Sequence, residues 1–561
     1  MKRTLATLFS TMATSLSAKT QHIGWSKLAT AWSPQLAVVR QQHKNDVVQR
    51  AVARTLPLLT DSGSVPFVCR YRTDVIAPLQ VEQIHQLADW LAKHESLQTL
   101  RHKLLQQPAV SSDDSLKLRV ETSHSKAELD DLYAPFKQPS KGSLEDRIRQ
   151  EHPALIEAVD NLFYQGHRID VQLRPKEAAV TLLANRMASH PAVMDALMET
   201  QQHCCIVKLE RAKDDQAKYS VYYDMERPVH ALRDHQVLAM KRGAEQKALK
   251  LALSMDAEKA QSTMTWALRD KSPPRGSSNS SLWKDAIHDA WTRLLRKRFT
   301  TRVWREKCAV ATTRAVQVFC DNLYKALLAP PPATPRPLLA LDPGFKAGIK
   351  CALLHADGRV EDLVTVQFMP HKKRGLEQVQ NLLQKLKEMG DTNHPLCVVV
   401  GNGHGTQEAQ QLVHQAAQGS GMDVEIQLVN EAGASVWSVA PQAAKEFPDQ
   451  PAAAIAAVSI GRRYLNPLAE LVKIPPRSLG LGMYQHDVSE KELDEKLHLT
   501  SVDAVAEVGV DVNSGSLEIL CKVPGLTEQL GVRILNHRPL ASRRALLEIS
   551  GLGPKTFENC A

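Results

Sequence analysis

The chain has 561 residues, which is too long for a single hydrophobic core, so we expect three or more domains. Its composition of 43% hydrophobic and 23% charged residues is that of a folded globular protein. The sequence contains no run of eighteen apolar residues, so no membrane span is predicted. The formal charge of +9 is too small to identify a nucleic-acid partner by itself.

The first 45 residues are rich in Ser, Thr and Ala and contain no acidic residue. Apolar residues at positions 5, 8, 12 and 16 recur at helical spacing. This pattern is typical of a transit peptide and predicts import into mitochondria, with the nucleus or cytoplasm as the alternative location. A plain disordered basic segment, or a start at Met12, is the competing interpretation. Six basic residues lie in this segment, and without them the formal charge falls from +9 to about +3.

Residues 46–330 are expected to form a helical N-terminal region. Apolar residues recur three or four positions apart, as at Val81, Ile84, Leu87 and Leu91. Strand-like alternation is confined to two short stretches, 205–209 and 219–223.

The end of this region shows a loop and then a long helix. Residues 271–281 (KSPPRGSSNSS) have the composition of an exposed loop. A helix is predicted over 282–328, and the prolines at 330–332 end it.

Residues 335–465 have the pattern of an α/β layer. Three consecutive strands are predicted first, then helices alternate with two further strands. This order predicts a ribonuclease H-like domain, so the fold class is multidomain and mainly α with one such α/β domain. The five predicted strands are 337–341, 348–354, 360–368, 396–400 and 424–429, and the two helices are 376–387 and 407–418.

The last hundred residues are predicted to be helical, with a connector at 466–500 and a tandem helix-hairpin-helix at 501–561. The two hairpins are 523–526 (VPGL) and 549–553 (ISGLG), and the second unit is expected to be cut short at Ala561. Glycine allows each turn a positive φ and brings backbone N–H groups close to a phosphate. The alternative is that each glycine only caps a helix.

The hairpin segment carries six basic and seven acidic residues, so a phosphate there would be held mainly by main-chain amides. Its side chains still include a basic stretch, because no acid occurs between Glu528 and Glu548. The candidate nucleic-acid contacts in this segment are Lys522, Gly525, Arg533, Arg538, Arg543, Arg544, Gly551, Gly553 and Lys555.

A second basic cluster lies on the predicted long helix, interleaved with Trp291 and Trp304. Arginine beside aromatic residues suits phosphate contact and base stacking. A solvated helix face with both tryptophans packed in the core explains the pattern equally well. The candidate contacts are Arg293, Arg296, Lys297, Arg298 and Arg302.

The predicted ribonuclease H-like domain raises the question of nuclease activity. Nucleases of this fold hold two Mg²⁺ ions with three or four carboxylates, because each hard cation needs several oxygen ligands. Asp342 ends the first strand and Glu431 follows the fifth, but residues 401–403 read Gly-Asn-Gly. The helix expected from residue 452 onward offers only Arg462, Arg463 and Asn466.

We therefore expect Asp342 and Glu431 to be vestigial carboxylates in an inactive domain, with no catalytic residue, cofactor or metal. The nine cysteines form no C-x-x-C pair and predict neither a zinc site nor a disulfide framework. The alternative is a metal-dependent RuvC-like nuclease that uses Asp342 and Glu431.

Several ordered motifs together resemble one known family. They are 65–72 (VPFVCRYR), 128–137 (ELDDLYAPFK), 341–348 (LDPGFKAG), 401–403 (GNG), 429–438 (VNEAGASVWS), 466–474 (NPLAELVKI), 484–488 (YQHDV) and 508–513 (VGVDVN). The chain is similar to the Tex transcription accessory proteins over roughly residues 46–561.

The resemblance implies a helical scaffold that carries a YqgF-type ribonuclease H-like domain, inactive as a nuclease, and a tandem helix-hairpin-helix. It also implies RNA or DNA as ligand and a role in transcription or RNA handling. The long helical region supports a further alternative, an interaction scaffold for RNA polymerase or the ribosome, and no membrane partner is expected. This sequence departs from the family pattern by ending before the family's C-terminal OB-fold RNA-binding domain. Asn466 also stands where the family commonly has Asp.

Overall fold

In this computed structural model, the described residues are 44–60, 65, 68–69, 72–107, 110, 114–123, 126–133, 143–164, 173–212, 217–273, 279–344, 348–367, 372–390, 394–448 and 450–560. The predicted transit segment, apart from its last two residues, lies outside them. The centre of the predicted loop, 274–278, and residues 345–347 of the motif 341–348 also lie outside the described residues. The chain divides into two compact units, residues 1–313 and 314–561.

The first unit is mainly helical, as the spacing of apolar residues predicts. A buried core forms around Val52, Leu56, Ile84 and Leu87, which the helical spacing brings to one side. The described helices of this unit are Asn45–Thr60, Thr73–Ile76, Val81–Ser96, Gln98–Leu105, Asp114–Thr122, Lys126–Tyr133, Leu144–Glu151, Pro153–Tyr164, Lys176–Ser189, Pro191–Cys204, Asp234–Glu245, Ala257–Ala267 and Ser280–Asp289.

A three-stranded antiparallel sheet interrupts these helices, and it corrects the expectation of an almost purely helical region. Its strands are β1 (Cys205–Arg211), β2 (Glu226–Pro228) and β3 (Leu249–Met255), in the order β2-β1-β3. The strand predicted at 219–223 is wrong, because Ser220–Tyr222 forms a 3-10 turn. Positive φ angles at Ala217 and Asp224 bend the backbone on either side of it.

The predicted long helix is present, but it contains one irregular turn. Ser280–Asp289 is α-helical, Ala290–Leu295 is a π-helix, and Arg296–Leu327 is α-helical again. The described chain passes from the first unit to the second within this last helix. The prolines from residue 330 onward follow its end, as predicted.

The second unit contains the α/β layer, and the predicted strands and helices are confirmed within a few residues. The strands are β4 (Leu338–Asp342), β5 (Ile349–Leu354), β6 (Val360–Val366), β7 (Leu396–Gly401) and β8 (Val424–Val429). They form one sheet in the order β6-β5-β4-β7-β8. Strands β4, β5 and β6 pair antiparallel, whereas β7 pairs parallel with both β4 and β8.

Helices cover both faces of this sheet. Leu339 and Leu341 pack with the helices Lys372–Met389 and Thr406–Ser420 on one face. Leu338 and Ala340 point to the opposite face, as alternation along a strand requires, and pack there against Ala452–Leu465, which we call the buried helix.

The buried helix approaches the sheet closely at Gly461. A Cβ atom at this position would collide with the Leu354 side chain and lie 2.9 Å from the Cβ of Ala340. Glycine is therefore the residue that lets this helix lie directly on β4 and β5. The contact lies where the amino end of β4, at Leu338, pairs with the carboxyl end of β5, at Leu354.

The remaining elements are helical, as predicted. The helix Glu490–Val508 crosses the expected boundary between residues 500 and 501, so the domain division stays a prediction. None of the described helices is long and apolar enough to cross a membrane. The other helices of this unit are Ala434–Ser438, Pro441–Glu446, Pro467–Leu471, Leu517–Leu520, Glu528–Asn536 and Pro554–Cys560, with a 3-10 segment at Arg543–Glu548.

We expect Gly461→Ala to destabilise the α/β layer by about 1–3 kcal/mol, because the added methyl overpacks the face between the buried helix and the sheet. The gain in helix propensity, about 1 kcal/mol, offsets only part of this cost. Hydrogen exchange of peptides from β4 and β5, measured in the full chain, reports the local opening free energy.

Gly419→Ala is the matched control. This glycine also lies in a helix, but its Cβ would meet only the movable amide of Gln380, at 2.8 Å. Hydrogen exchange of the β4 and β5 peptides in Gly419→Ala is expected to be as slow as in the wild-type chain, or slower. Equal protection of β4 and β5 in both variants would contradict the close contact at Gly461.

Candidate nucleic-acid interface and the carboxylate edge

Asp342 and Glu431 meet at the carboxyl edge of the sheet. Asp342 is the last residue of β4, and Glu431 lies two residues after β8. Between them runs the loop that follows β7, and the Glu431 carboxylate rests on it. A Cβ at Gly403 would overlap this carboxylate, and one at Gly401 would lie 2.6 Å from its Oε2 atom. The glycines of this loop therefore make room for Glu431.

The ionisation of Asp342 responds to its burial and to the charges beside it. Burial raises the pKa of Asp342 to about 6, the negative charge of Glu431 adds to this effect, and Lys350 opposes it. Lys350 pairs with Asp342 in the β4–β5 register and is only 9% exposed. Among the described residues, no group donates a hydrogen bond to the buried Oε2 of Glu431.

A buried arginine, on the helix where the sequence offers no third metal-ligating acid, lies near Glu431. Arg463, on the buried helix, is 5% exposed, and its Nη1 donates to the carbonyl oxygens of Asn430 (2.6 Å) and Ala432 (2.8 Å). These two residues flank Glu431, so the guanidinium fixes the loop that carries the acid. Burial lowers the pKa of Arg463 to about 10, against the opposing charges of Glu470 and Glu431.

The neighbouring polar residues of this helix also have structural partners. Arg462 donates to the carbonyl of Gly358 (2.9 Å) and forms an ion pair with Glu446 (2.6 Å). Asn466 caps the helix Pro467–Leu471, its Oδ1 accepting from the N–H of Ala469 at 3.0 Å. Neither residue provides an acid to the edge of the sheet.

The residues at this edge do not fit the pair of divalent cations that nucleases of this fold use. Two carboxylates face two cationic side chains, Lys350 and Arg463. Within the described part of the chain, no three or more His, Cys, Asp or Glu side chains are grouped so as to hold a metal ion. A metal pair would need more oxygen ligands and less nearby positive charge.

The two predicted hairpins lie side by side in the last sixty residues. Gly525 and Gly551 have φ angles of +86° and +90°, so each turn uses the left-handed conformation that favours glycine. Each turn packs on the second helix of the other helix-hairpin-helix. A Cβ at Gly525 would lie 3.3 Å from Asn559, and one at Gly551 would lie 3.5 Å from Leu530.

This reciprocal packing explains why the turns are ordered. Their shared core includes six buried side chains, of which Leu520 and Leu546 occupy equivalent positions 26 residues apart: Leu520, Leu530, Ile534, Leu546, Ile549 and Leu552. The backbone at Gly525, Gly551 and Gly553 nevertheless remains exposed. The hairpins thus present exposed glycines on a packed support.

The basic residues predicted to contact nucleic acid in this segment fall into two groups. Arg544 and Lys555 are exposed. Arg533 donates to the carbonyl of Ser550 and Arg538 to that of Gly515, while Lys522 lies 3.1 Å from Nδ1 of His498. Arg533, Arg538 and Lys522 therefore support the hairpins in the free chain. Arg543 belongs to the exposed group, with Arg544 and Lys555.

The arginine cluster on the long helix is divided in the same way. Arg293 pairs with Asp289 at 2.6 Å, Arg302 pairs with Glu306 at 2.9 Å, and Arg298 donates to the carbonyl of Ala188. Arg296 and Lys297 are exposed.

The tryptophans of this cluster are not equivalent. Trp291 is fully buried against Phe299, so it belongs to the core and presents no face to a base. Trp304 is half-buried.

Sequence reasoning identified both acids but missed Lys350 and the role of Arg463. Lys350 alternates with apolar residues in β5, a pattern that any half-exposed strand shows. Arg463 stood out as a charge in an apolar helix, yet its partners are backbone carbonyls, which leave no mark in the sequence.

We expect Asp342→Asn to stabilise the chain at high pH. The folded-state pKa of about 6 lies above the ordinary value of 3.8, so ionisation of Asp342 costs folding free energy. The cost is absent below about pH 4, grows through pH 5 and is complete above pH 6. Calorimetry of the full chain should show the variant about 1–2 kcal/mol more stable at pH 8 and equal to wild type near pH 4.

Asp423→Asn, at an exposed carboxyl, serves as the control and should show no such trend. A stability difference for Asp342→Asn that does not change with pH would contradict the assigned ionisation.

Sequence comparisons agree with this arrangement. Four family models match, described as Tex-like protein N-terminal domain (residues 36–107), Tex central region-like (176–319), Tex protein YqgF-like domain (336–465) and helix-hairpin-helix motif (505–561).

Curated relatives match along most of the chain. The transcriptional accessory protein Tex of Neisseria gonorrhoeae is 31% identical over 532 residues, which cover 90% of this chain and 69% of that protein. Protein YhgF of Escherichia coli (strain K12) is 30% identical over 548 residues, covering 90% and 68%. S1 RNA-binding domain-containing protein 1 of Homo sapiens is 29% identical over 541 residues, covering 91% of this chain and 54% of that protein. The chain belongs to the Tex family of transcriptional accessory proteins.

Proposed function

We propose that this chain binds RNA through the backbone amides of its two hairpin turns, and that it acts without catalysis in transcription or RNA processing. The observation that carries the proposal is the pair of adjacent, exposed glycine turns at Gly525 and Gly551, each held at positive φ. The N–H groups of a glycine turn at the start of a helix suit a phosphate oxygen.

The hairpins are preorganised for such contacts. The Arg533 guanidinium donates to the Ser550 carbonyl, and this bond connects the helix Glu528–Asn536 to the second hairpin turn. Asn513 and Leu540 exchange two hydrogen bonds, of 3.0 and 2.8 Å, across the same segment. Because these bonds already exist in the free chain, binding requires little further ordering, which favours affinity.

Exposed cations add candidate phosphate contacts within each compact unit. Arg544 and Lys555 lie in the hairpin segment of the second unit, and Arg296 and Lys297 form a separate exposed group on the long helix of the first unit. Contacts of this kind position a phosphate backbone without reading bases, so we propose a salt-sensitive, sequence-tolerant affinity. Phosphates are common to both nucleic acids, so DNA is a second ligand of the same surface.

RNA is placed first because the human relative is named for an S1 RNA-binding domain. We extend the proposal to RNA polymerase or the ribosome as the assembly served, since the gonococcal relative is named a transcriptional accessory protein. The acid-free composition of residues 1–45 supports a mitochondrial location.

Our proposal assigns no nuclease activity to the α/β domain. The support is the charge balance at the carboxylate edge, where Lys350 and Arg463 stand beside Asp342 and Glu431. The convergence of these two acids is the observation that favours the alternative, a metal-dependent nuclease. Two acids without a third are a poor seat for two cations, so we give that alternative second place.

We expect Gly553→Val to weaken RNA binding roughly tenfold, the equivalent of one lost charge-assisted hydrogen bond. Gly553 is exposed, and a Cβ added there meets no atom within 4 Å, so the hairpins should fold normally. The new side chain would instead keep a phosphate away from the backbone. Binding of the full chain to a labelled 20-nucleotide RNA, titrated over a salt series, measures the effect.

Gly390→Val is the matched control, because it adds the same side chain at the end of the helix Lys372–Met389, away from the hairpins. A Cβ there makes only an ordinary contact of 3.5 Å with the carbonyl of Leu386. Absence of RNA binding by the wild-type chain at low salt would reject the proposed function. Equal affinities for wild type and Gly553→Val would exclude the hairpin amides as the contact.

A further inference from the structure

Trp266 is a large aromatic side chain left on the surface of the first unit. It lies in the last turn of the helix Ala257–Ala267 and is 60% exposed. By contrast, Trp90, Trp283 and Trp291 are at most 4% exposed. Burial of a tryptophan contributes more to stability than burial of most residues, and the Trp266 ring forgoes most of that contribution.

Cations accompany this ring. The Arg269 guanidinium carbon lies 4.6 Å from the centroid of Trp266, within the range of a cation–π contact. Two residues later, Lys271 Nζ lies 5.5 Å from the ring of Phe163 and 5.7 Å from that of Tyr164. Tyr164 is itself 52% exposed. One short segment thus joins two exposed aromatic rings through two cations.

The acids around these rings are already paired. Asp160 and Glu145 are the acids whose charges raise the pKa of Tyr164. Both form ion pairs with Arg186, at 2.6 and 2.9 Å. Asp270 is exposed beside Arg269, with 3.7 Å between its carboxylate and the Arg269 Nε. Among the described residues, the segment offers two cations against one exposed acid, which favours an anionic partner.

We propose that Trp266 and Tyr164 are stacking platforms for unpaired bases of single-stranded RNA, and that Arg269 and Lys271 contact the intervening phosphates. Aromatic rings stack on any base, and arginine beside them adds attraction for the backbone. Bases of a duplex have their faces covered by their neighbours, so the surface selects single strands. This inference rests on the proposed RNA binding and assigns it a second, strand-selective surface.

The test compares two RNA ligands on the full chain. Trp266→Ala should weaken binding of a labelled 12-nucleotide oligouridylate about tenfold. Its affinity for a 12-base-pair RNA duplex should stay unchanged, because the hairpin amides and not this ring would hold the duplex. Trp266→Phe, which keeps a stacking face, should restore most of the lost affinity. Arg269→Gln should reduce the salt dependence of single-strand binding.

Val221→Ala, at a side chain 86% exposed in the same unit, controls for the loss of an exposed apolar group. If wild type binds the oligouridylate and Trp266→Ala binds it equally well, the stacking surface is wrong while the proposed function stands. An equal loss for single strand and duplex also overturns the inference, since it would mark a general defect. If wild type binds neither RNA, the proposed function itself fails.

Photo-crosslinking gives an independent readout. Irradiation of the complex with 4-thiouridine-labelled RNA should attach the label to peptides that contain Trp266 or Tyr164. Crosslinks confined to the hairpin segment would contradict the second surface. The same experiment with single-stranded DNA of matched sequence tests whether the surface accepts either sugar, and crosslinks at Trp266 with DNA alone would contradict the assignment to RNA.

Discussion

The buried Arg463 guanidinium is the interaction on which the α/β domain's functional edge depends. It reaches the carbonyls of Asn430 and Ala432 only because Gly461 lets the buried helix lie directly on the sheet. The loop between those carbonyls then places Glu431 against Gly403, beside Asp342. Two acids of the α/β domain thus meet at one edge of the sheet, with the positive charges of Lys350 and Arg463 beside them.

This constraint separates the scaffold from the chemistry it carries in nucleases. An acid pair beside a fixed guanidinium and a lysine is a poor fit for two magnesium ions, and burial together with the charge of Glu431 raises the pKa of Asp342 to about 6. The hairpins follow a different principle. Their glycine turns are exposed, and packing between the two helix-hairpin-helix units holds them in place. Polyanion recognition then needs few charged side chains.

The sequence predicted the α/β layer well because its signals are local. Apolar runs such as β7 and β8 are bounded by turn residues, and the proline run after the long helix marks the start of the domain. It failed for β2 and β3, since a three-residue exposed strand and one rich in Leu, Ala and Lys are compatible with helix. The partners of Arg463 and Arg533 were also beyond reach, because carbonyls distant in sequence become acceptors only after folding. Trp266 escaped notice for the same reason: exposure is a property of the folded chain.

Binding of Mn²⁺ to the full chain, followed by electron paramagnetic resonance at pH 7.5, tests most directly whether protein cations have replaced the metal pair. We expect the signal of free Mn²⁺ to remain, with no stoichiometric uptake that depends on Asp342 or Glu431. Two Mn²⁺ ions bound per chain with magnetic coupling between them, and lost together in Asp342→Asn, would contradict this account and favour a nuclease.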